Sequence, residues 1–287
     1  MRVLTLLALA VPFAATLSAQ ATPSAIFTDP AQDSLHPARM EVLHIPSGRV
    51  RINGVAYLAP GDSAHPTLII LHGLPGNEKN LDLAQAVRRA SWNAITFNYR
   101  GSWGSPGMFR FAHTIEDGSA VLAFLRDTAR VRLLRIDTTR IVLAGHSMGG
   151  WATAQLASRD KRLAGAILIS AADMGLDART PRARLVTAMR SNMESLAGVT
   201  AEQMADELIA NGRRWQFDRT AAGLGRLPLL VLTSNDGLAP EVEPLVAGAR
   251  AAGNSRVTVQ HESTDHGWSD RRIALQSAVI RWIENLP

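Results

Sequence analysis

The sequence VLAGHSMGGW, Val142 to Trp151, places Ser147 two residues after a glycine and two residues before another, directly behind an apolar run. The run from Arg140 to Ala144 is typical of a strand that is covered on both faces. The residues from Met148 to Ser158 then place apolar side chains at helical spacing. We therefore predict a sharp turn from a buried strand into a helix at Ser147, and this junction decides the fold.

The five residues Gly145-His146-Ser147-Met148-Gly149 have the form G-x-S-x-G, which carries a nucleophile when it follows a strand and opens a helix. The flanking glycines remove Cβ atoms that would clash in a strained turn. The serine hydroxyl would stand above the sheet at a helix N-terminus, where developing negative charge is favoured. This context favours a nucleophilic Ser147 over a structural serine in a turn.

The rest of the chain alternates buried strand patterns with helical patterns, which predicts a mostly parallel sheet with helices on both faces. An antiparallel hairpin, Arg39–Ile45 with Arg49–Leu58, is predicted to lead into it. The further predicted strands are Thr67–Leu71, Ala94–Phe97, Arg140–Ala144, Leu163–Ile169, Leu227–Thr233 and an edge strand at Arg256–Gln260. The predicted helices are Leu81–Ala90, Ile115–Leu125, Met148–Ser158, Glu241–Ala252 and Asp270–Leu286.

The interval between Ala171 and Leu227 is too long for a simple crossover between two strands. Helical patterns cover Pro181–Leu196, Thr200–Asn211 and Arg213–Phe217, and the first residues of the second pattern resemble a capping box. We predict a small helical cap insertion at about residues 174–225. It should lie on the face where the strands end, because ligands bind at the carboxyl ends of such strands.

Three other segments follow predicted strands and carry candidate functional groups. His72-Gly73-Leu74-Pro75-Gly76 comes after an early buried strand. Asp236 lies in Ser234-Asn235-Asp236-Gly237, and His266 lies in Asp265-His266-Gly267-Trp268 after the last strand. Together with the serine motif, these segments give the order Ser, Asp, His along the chain.

With these motifs in this order, the chain resembles the α/β-hydrolase superfamily from about Arg49 to the C-terminus, and the resemblance is weaker in the cap. It implies the α/β-hydrolase fold and a catalytic triad of Ser147, Asp236 and His266. Asp173 is a rival for the acid, because it also follows a strand and some members of the superfamily carry the acid there. The turn context favours Asp236.

The same resemblance implies an oxyanion hole formed by the backbone N–H groups of Leu74 and Met148, since Pro75 cannot donate. It also implies an acyl substrate, and hydrolysis of a carboxylic ester is the leading prediction. A peptidase or amidase, an acyltransferase and a non-catalytic binding protein of the same fold remain alternatives. In the cap, apolar residues such as Met189 and Met193 are expected either to pack on the body or to face an acyl chain.

Composition excludes several other classes of protein. The 30 Lys and Arg residues and 25 Asp and Glu residues leave a net charge of +5, and the arginines are scattered rather than gathered in a stripe. This favours a solvated surface over nucleic-acid binding. There is no cysteine, which excludes disulfides and thiolate catalysis. Because no metal or phosphate-binding motif is present, we predict no cofactor.

The N-terminal residues Met1 to Ala21 have the features of a secretory signal peptide. Arg2 precedes an apolar run that is short for a membrane span, and Ala19-Gln20-Ala21 is a small-x-small cleavage sequence. We predict cleavage before Thr22 and an exported protein, periplasmic or extracellular, with residues 22–287 as one catalytic domain. An uncleaved anchor helix is the alternative, and the oligomeric state is not predicted.

Overall fold

A computed structural model describes residues 21–287, so the predicted signal peptide lies outside the described residues except for Ala21. The strands are β1 (Arg39–Ser47), β2 (Val50–Leu58), β3 (His65–Leu71), β4 (Asn93–Phe97), β5 (Ile136–His146), β6 (Gly165–Ile169), β7 (Leu229–Thr233) and β8 (Val257–His261). The helices are α1 (Leu81–Arg89), α2 (Phe111–Leu125), α3 (Thr128–Leu134), α4 (Met148–Ala157), α5 (Met174–Asp177), α6 (Arg182–Arg190), α7 (Ala201–Trp215), α8 (Asp218–Ala221), α9 (Ala239–Ala251) and α10 (Arg272–Glu284).

The strands form one eight-stranded sheet in the order β1-β2-β4-β3-β5-β6-β7-β8. The pairs β1–β2 and β2–β4 are antiparallel, and the pairs from β4 to β8 are parallel. The predicted fold is therefore confirmed, including the N-terminal hairpin and the edge position of the last strand. Parallel strands all end at the same edge of the sheet, and the segments that follow β3, β5, β7 and β8 are consequently gathered there.

Each face of the sheet carries its own apolar core, and alternate side chains of one strand supply both. In β3, Ile69 and Leu71 belong to one core, while Leu68 and Ile70 belong to the other. Helices α2, α4 and α9 cover the first core, and α1 and α10 cover the second. Burial on both faces explains the continuous apolar runs in the sequence. Each such side chain contributes about 1.5–3 kcal/mol when it is fully buried.

Two helices near the sheet differ from the prediction. Helix α2 begins at Phe111 rather than Ile115, because the Glu207 carboxylate accepts hydrogen bonds from the N–H groups of Phe111 and Ala112 at 3.0 and 2.9 Å. Helix α3 was not predicted, although the Asp127 side chain caps it by accepting from the N–H groups of Ala129 and Arg130. The start of α2 depends on Glu207, which is distant in the sequence. The start of α3 depends on Asp127, a local capping residue that the sequence does show.

The interval between β6 and β7 contains α5 to α8, so a helical insertion is present there. The capping box of Thr200 and Gln203 is confirmed at the start of α7. The predicted helix at Pro181–Leu196 ends earlier, at Arg190, and the two later patterns form one continuous helix. The C-terminal end of α7 is held to α4, because the Trp215 carbonyl accepts from Trp151 Nε1 at 2.7 Å. The insertion is thereby attached to the helix that follows Ser147.

Within residues 21–287, we find no helix with both the length and the apolar character needed to span a bilayer.

Candidate active site

Ser147 lies in the turn between β5 and α4 with φ 57° and ψ -124°, a conformation that non-glycine residues rarely adopt. The turn is held by its own backbone, because Ser147 N–H donates to Ile169 O at 3.0 Å and Ser147 O accepts from Gly150 N–H at 2.9 Å. Backbone strain of this kind costs about 1–3 kcal/mol and persists only where the surroundings impose it. The half-buried serine is therefore presented by a locked strand-to-helix turn.

Gly149, two residues after Ser147, is required because α4 packs closely against the neighbouring strand β3. A Cβ at Gly149 would lie 2.2 Å from the carbonyl oxygen of Leu71, the last residue of β3. No side chain fits at that distance, and a substitution would push α4 away from the sheet. The start of α4 is therefore held close to the point where β3 leads into His72.

Asp236 and His266 are brought together although 30 residues separate them in the chain. His266 Nδ1 lies 2.8 Å from Asp236 Oδ2, and the Asp236 side chain is only 5% exposed. Burial opposes ionisation of this carboxyl, but hydrogen bonds from His266, Leu238 N–H and Ser234 hold its pKa below the usual value. Asp236 accepts a hydrogen bond from His266 Nδ1–H, and in this tautomer Nε2 of the ring carries the lone pair that can act as a base.

His146, the residue before Ser147, contacts the backbone of His266. Its Nε2 donates to the His266 carbonyl at 2.8 Å, and the two ring centroids are 4.6 Å apart. Burial lowers the pKa of His146 to about 4, so this ring is neutral near pH 7. His146 therefore connects the loop that carries His266 with the end of β5, and the sequence offered no sign of this contact.

Asp173, the rival candidate for the acid, forms its side-chain hydrogen bonds away from His266. Its two carboxylate oxygens accept from Gly175 N–H and Phe217 N–H, each at 2.9 Å. Burial raises its pKa to about 6, and the group caps α5 while joining it to the end of the insertion. The carboxylate of Asp173 thus bonds to backbone N–H groups, whereas the carboxylate of Asp236 lies against His266.

The loop after β3 packs directly on Ser147. A Cβ at Gly73 would lie 2.9 Å from the Cβ of Ser147, so only glycine lets the loop approach this closely. Within residues 21–287, the N–H groups of Leu74 and Met148 donate to no protein acceptor. Met148 is also the first residue of α4, where the helix dipole favours negative charge. Both N–H groups are therefore available to an anion.

The two tryptophans near the site differ in exposure. Trp268 is buried in the core beneath α10, and its Nε1 donates to Ser170 Oγ at 3.0 Å. Trp103 is 37% exposed on the loop that follows β4. Trp103 is therefore partly open to solvent, whereas Trp268 anchors the loop that carries His266 in the core.

In the insertion, Met189 is buried in the main core and Met193 is half-buried against it. We expect Met189→Ala to lower the free energy of unfolding by about 2–5 kcal/mol, because it leaves a cavity in packed surroundings. Met193→Ala should cost less than half as much and should instead change the ratio of turnover between short and long acyl esters. Urea unfolding and an acyl-chain series measure the two effects. Equal losses of stability with an unchanged chain-length profile would contradict this division.

Comparison with known proteins agrees with the fold. Residues 66–237 match the alpha/beta hydrolase fold family, and this match spans more than half of the chain. The protein therefore belongs to the alpha/beta hydrolase fold family.

Individual relatives are more distant. The chain is 30% identical over 127 residues to the quorum-quenching protein AidA of Acinetobacter baumannii (strain MDR-ZJ06), a match that spans 42% of this chain and 40% of that protein. The carboxylesterase EstE1, cloned from a metagenomic library, superposes with a TM-score of 0.65 at 20% identity over 92% of each chain. The esterase of Pyrobaculum calidifontis gives a TM-score of 0.64 at 20% identity over 87% of this chain and 86% of that one. At these identities the two structures show a shared fold.

Proposed function

We propose that this protein is a serine hydrolase that cleaves carboxylic esters, with Ser147 as nucleophile, His266 as base and Asp236 as the acid that orients it. The observation that carries the proposal is the 2.8 Å contact between His266 Nδ1 and Asp236 Oδ2, at the sheet edge where the strained Ser147 turn also lies. The Ser147 turn follows β5, and the Asp236–His266 pair follows β7 and β8. A serine with only a structural role would need neither a strained turn nor a carboxylate–histidine pair at the same end of the sheet.

The proposed reaction has two halves. As the Ser147 hydroxyl attacks the acyl carbonyl, His266 Nε2 takes its proton, and the negative charge of the tetrahedral intermediate develops on the carbonyl oxygen. The intermediate collapses, the ester C–O bond breaks, and the leaving alcohol receives the proton from His266. Water then attacks the acyl-enzyme with His266 again as base, which releases the acid and restores Ser147.

The oxyanion is stabilised by the N–H groups of Leu74 and Met148, which have no protein acceptor in the described residues. The acceptor they prefer is the oxygen of the tetrahedral intermediate, because it carries more charge than the ground-state carbonyl. The reaction as proposed needs no metal or cofactor. The partner is a small acyl substrate rather than a nucleic acid or a membrane.

The experiment is a turnover comparison of p-nitrophenyl esters with aminoacyl p-nitroanilides, paired with labelling by a fluorophosphonate probe. We expect covalent labelling at Ser147 and faster turnover of the esters. Labelling with preferred anilide turnover would make the protein an amidase or peptidase instead. If the folded protein is not labelled and turns over neither series, it is a binding protein and the proposal is wrong.

We also propose that the protein is exported after removal of residues 1–21, leaving residues 22–287 as the catalytic domain. The support is the charged, apolar and small-x-small order of the N-terminal residues. The expected mature N-terminus is Thr22, because Ala19 and Ala21 place small residues at both recognition positions. N-terminal sequencing of the exported protein measures it, and an intact Met1 in the membrane fraction would show an anchor.

A further inference from the structure

The carbonyl of Pro75 receives two side-chain hydrogen bonds from separate parts of the chain. Trp103 Nε1 donates to it at 2.7 Å from the loop after β4, and Ser195 Oγ donates at 2.9 Å from the segment between α6 and α7. Pro75 follows Leu74, whose N–H is one of the proposed oxyanion donors. Trp103 and Ser195, which we call the Pro75 clamp, therefore hold the residue next to that donor.

The two residues of the clamp are also joined to each other. Trp103 N–H donates to Ser195 O at 2.9 Å, and the neighbouring residues Ser102 and Leu196 form an isolated antiparallel bridge. The ammonium of Lys79 lies 4.1 Å from the centre of the Trp103 ring, which is a cation–π contact. These contacts restrict the rotamer of Trp103 and the position of the insertion. The two donors to Pro75 O, Trp103 Nε1 and Ser195 Oγ, are therefore held in place together.

The loop that carries Trp103 has a rigid base. Arg100 N–H donates to Asp117 Oδ2 at 2.8 Å, and Arg100 Nε lies 2.6 Å from Asp117 Oδ1 in α2. The Asp117 side chain is completely buried, and Ser47 Oγ donates to its Oδ1 as well. Because both charges of this pair are largely removed from water, separating them would be costly. The clamp is thus built on a fixed support rather than on a loose surface loop.

A fixed Pro75 carbonyl restrains the Leu74 N–H through the geometry of the chain. Peptide bonds are planar and the proline ring fixes φ, so the soft torsions between the two groups are φ and ψ of Leu74 and ψ of Pro75. With the carbonyl held at one end and Gly73 packed on Ser147 at the other, the N–H direction has little freedom. Without the clamp, rotation about ψ of Pro75 would let the loop relax and turn the donor away.

We propose that Trp103 and Ser195 are positioning residues for the oxyanion hole, which they preorganise through the Pro75 carbonyl. This inference rests on the proposed serine hydrolase function and deepens it, because it makes the helical insertion part of the catalytic geometry. A hydrogen bond to the oxyanion is stronger in the transition state than in the ground state, so loss of the clamp should act on kcat and leave KM nearly unchanged.

The test uses Trp103→Phe, which removes the N–H donor and keeps a ring beneath Lys79, and Ser195→Ala, which removes the hydroxyl. We expect each variant to lower kcat for a p-nitrophenyl ester by about tenfold, with KM changed by less than about twofold. The affinity for a boronic acid that forms a tetrahedral adduct should fall by about the same factor as kcat/KM. Ser195→Thr restores a hydroxyl and should recover most of the rate.

The matched control is Ser191→Ala, since the hydroxyl of Ser191 lies in the same insertion but donates to Ala188 O rather than to Pro75 O. It should leave kcat, KM and boronate affinity at the wild-type level. Thermal unfolding of each variant establishes that it is folded, and because the two clamp residues lie on different loops, each position tests the inference independently. A loss of rate in Ser191→Ala equal to that in Ser195→Ala, or a change confined to KM, would overturn the inference.

Failure of the clamp and failure of the proposed function give different results. If Ser147→Ala retains ester turnover, the serine hydrolase assignment fails and the clamp fails with it. If Ser147→Ala abolishes turnover while Trp103→Phe and Ser195→Ala keep wild-type kcat and boronate affinity, the triad stands and the clamp alone is wrong.

Discussion

Replacing Ser147 with alanine should lower kcat for p-nitrophenyl esters by about 10⁴-fold or more while leaving the free energy of unfolding within about 1 kcal/mol of wild type. The hydroxyl is the only group removed, and without it no acyl-enzyme can form. The Ser147 side chain accepts no hydrogen bond from the N–H groups at the start of α4, so its loss should cost little stability. Steady-state kinetics, urea unfolding and loss of fluorophosphonate labelling measure these effects.

The matched control is Ser158→Ala, at the C-terminal end of the same helix, where the hydroxyl donates to Gln155 O at 3.0 Å. It should keep wild-type turnover and full labelling, because Ser158 lies at the end of α4 opposite Ser147. Near wild-type turnover by Ser147→Ala would show that another group attacks the substrate.

Asp236→Asn should lower kcat by about 10⁴-fold, because the amide can donate to His266 Nδ1 and so favour the wrong tautomer of the ring. Asp173→Asn should lower kcat by less than about tenfold and should instead cost about 1–3 kcal/mol of stability. That carboxylate accepts from Gly175 N–H and Phe217 N–H, and an amide NH₂ cannot accept the second of these hydrogen bonds. Ester kinetics and urea unfolding of both variants give the two quantities.

Each of these variants serves as the control for the other, since both remove one negative charge from a buried carboxyl that follows a parallel strand. A large loss of kcat in Asp173→Asn together with a small one in Asp236→Asn would move the catalytic acid to the end of β6. Large losses of kcat in both would mean that the insertion held by Asp173 also maintains the reacting geometry.

Local patterns in the sequence predicted the parts of the molecule that depend on neighbouring residues. The buried strands were visible as apolar runs because both faces of the sheet are covered, as for Ile69 and Ile70 in β3. The strand-to-helix junction at Ser147 was visible because glycines are needed within two residues of it. The start of α7 was visible because Thr200 and Gln203 satisfy one another's backbone N–H groups.

Contacts between distant residues were decided only by the tertiary structure. The start of α2 is set by Glu207, which lies 96 residues away from Phe111. His146 binds the His266 carbonyl, and Ser195 binds the Pro75 carbonyl, each across a separation of 120 residues. A side chain that donates to a remote carbonyl leaves no periodic pattern and needs no special neighbour, so nothing in the local sequence distinguishes Ser195 from an ordinary surface serine. The sequence by itself therefore determined the sheet, the turn that carries Ser147 and the candidate acid and base, whereas the packing of the insertion against the Pro75 loop was decided by the folded chain.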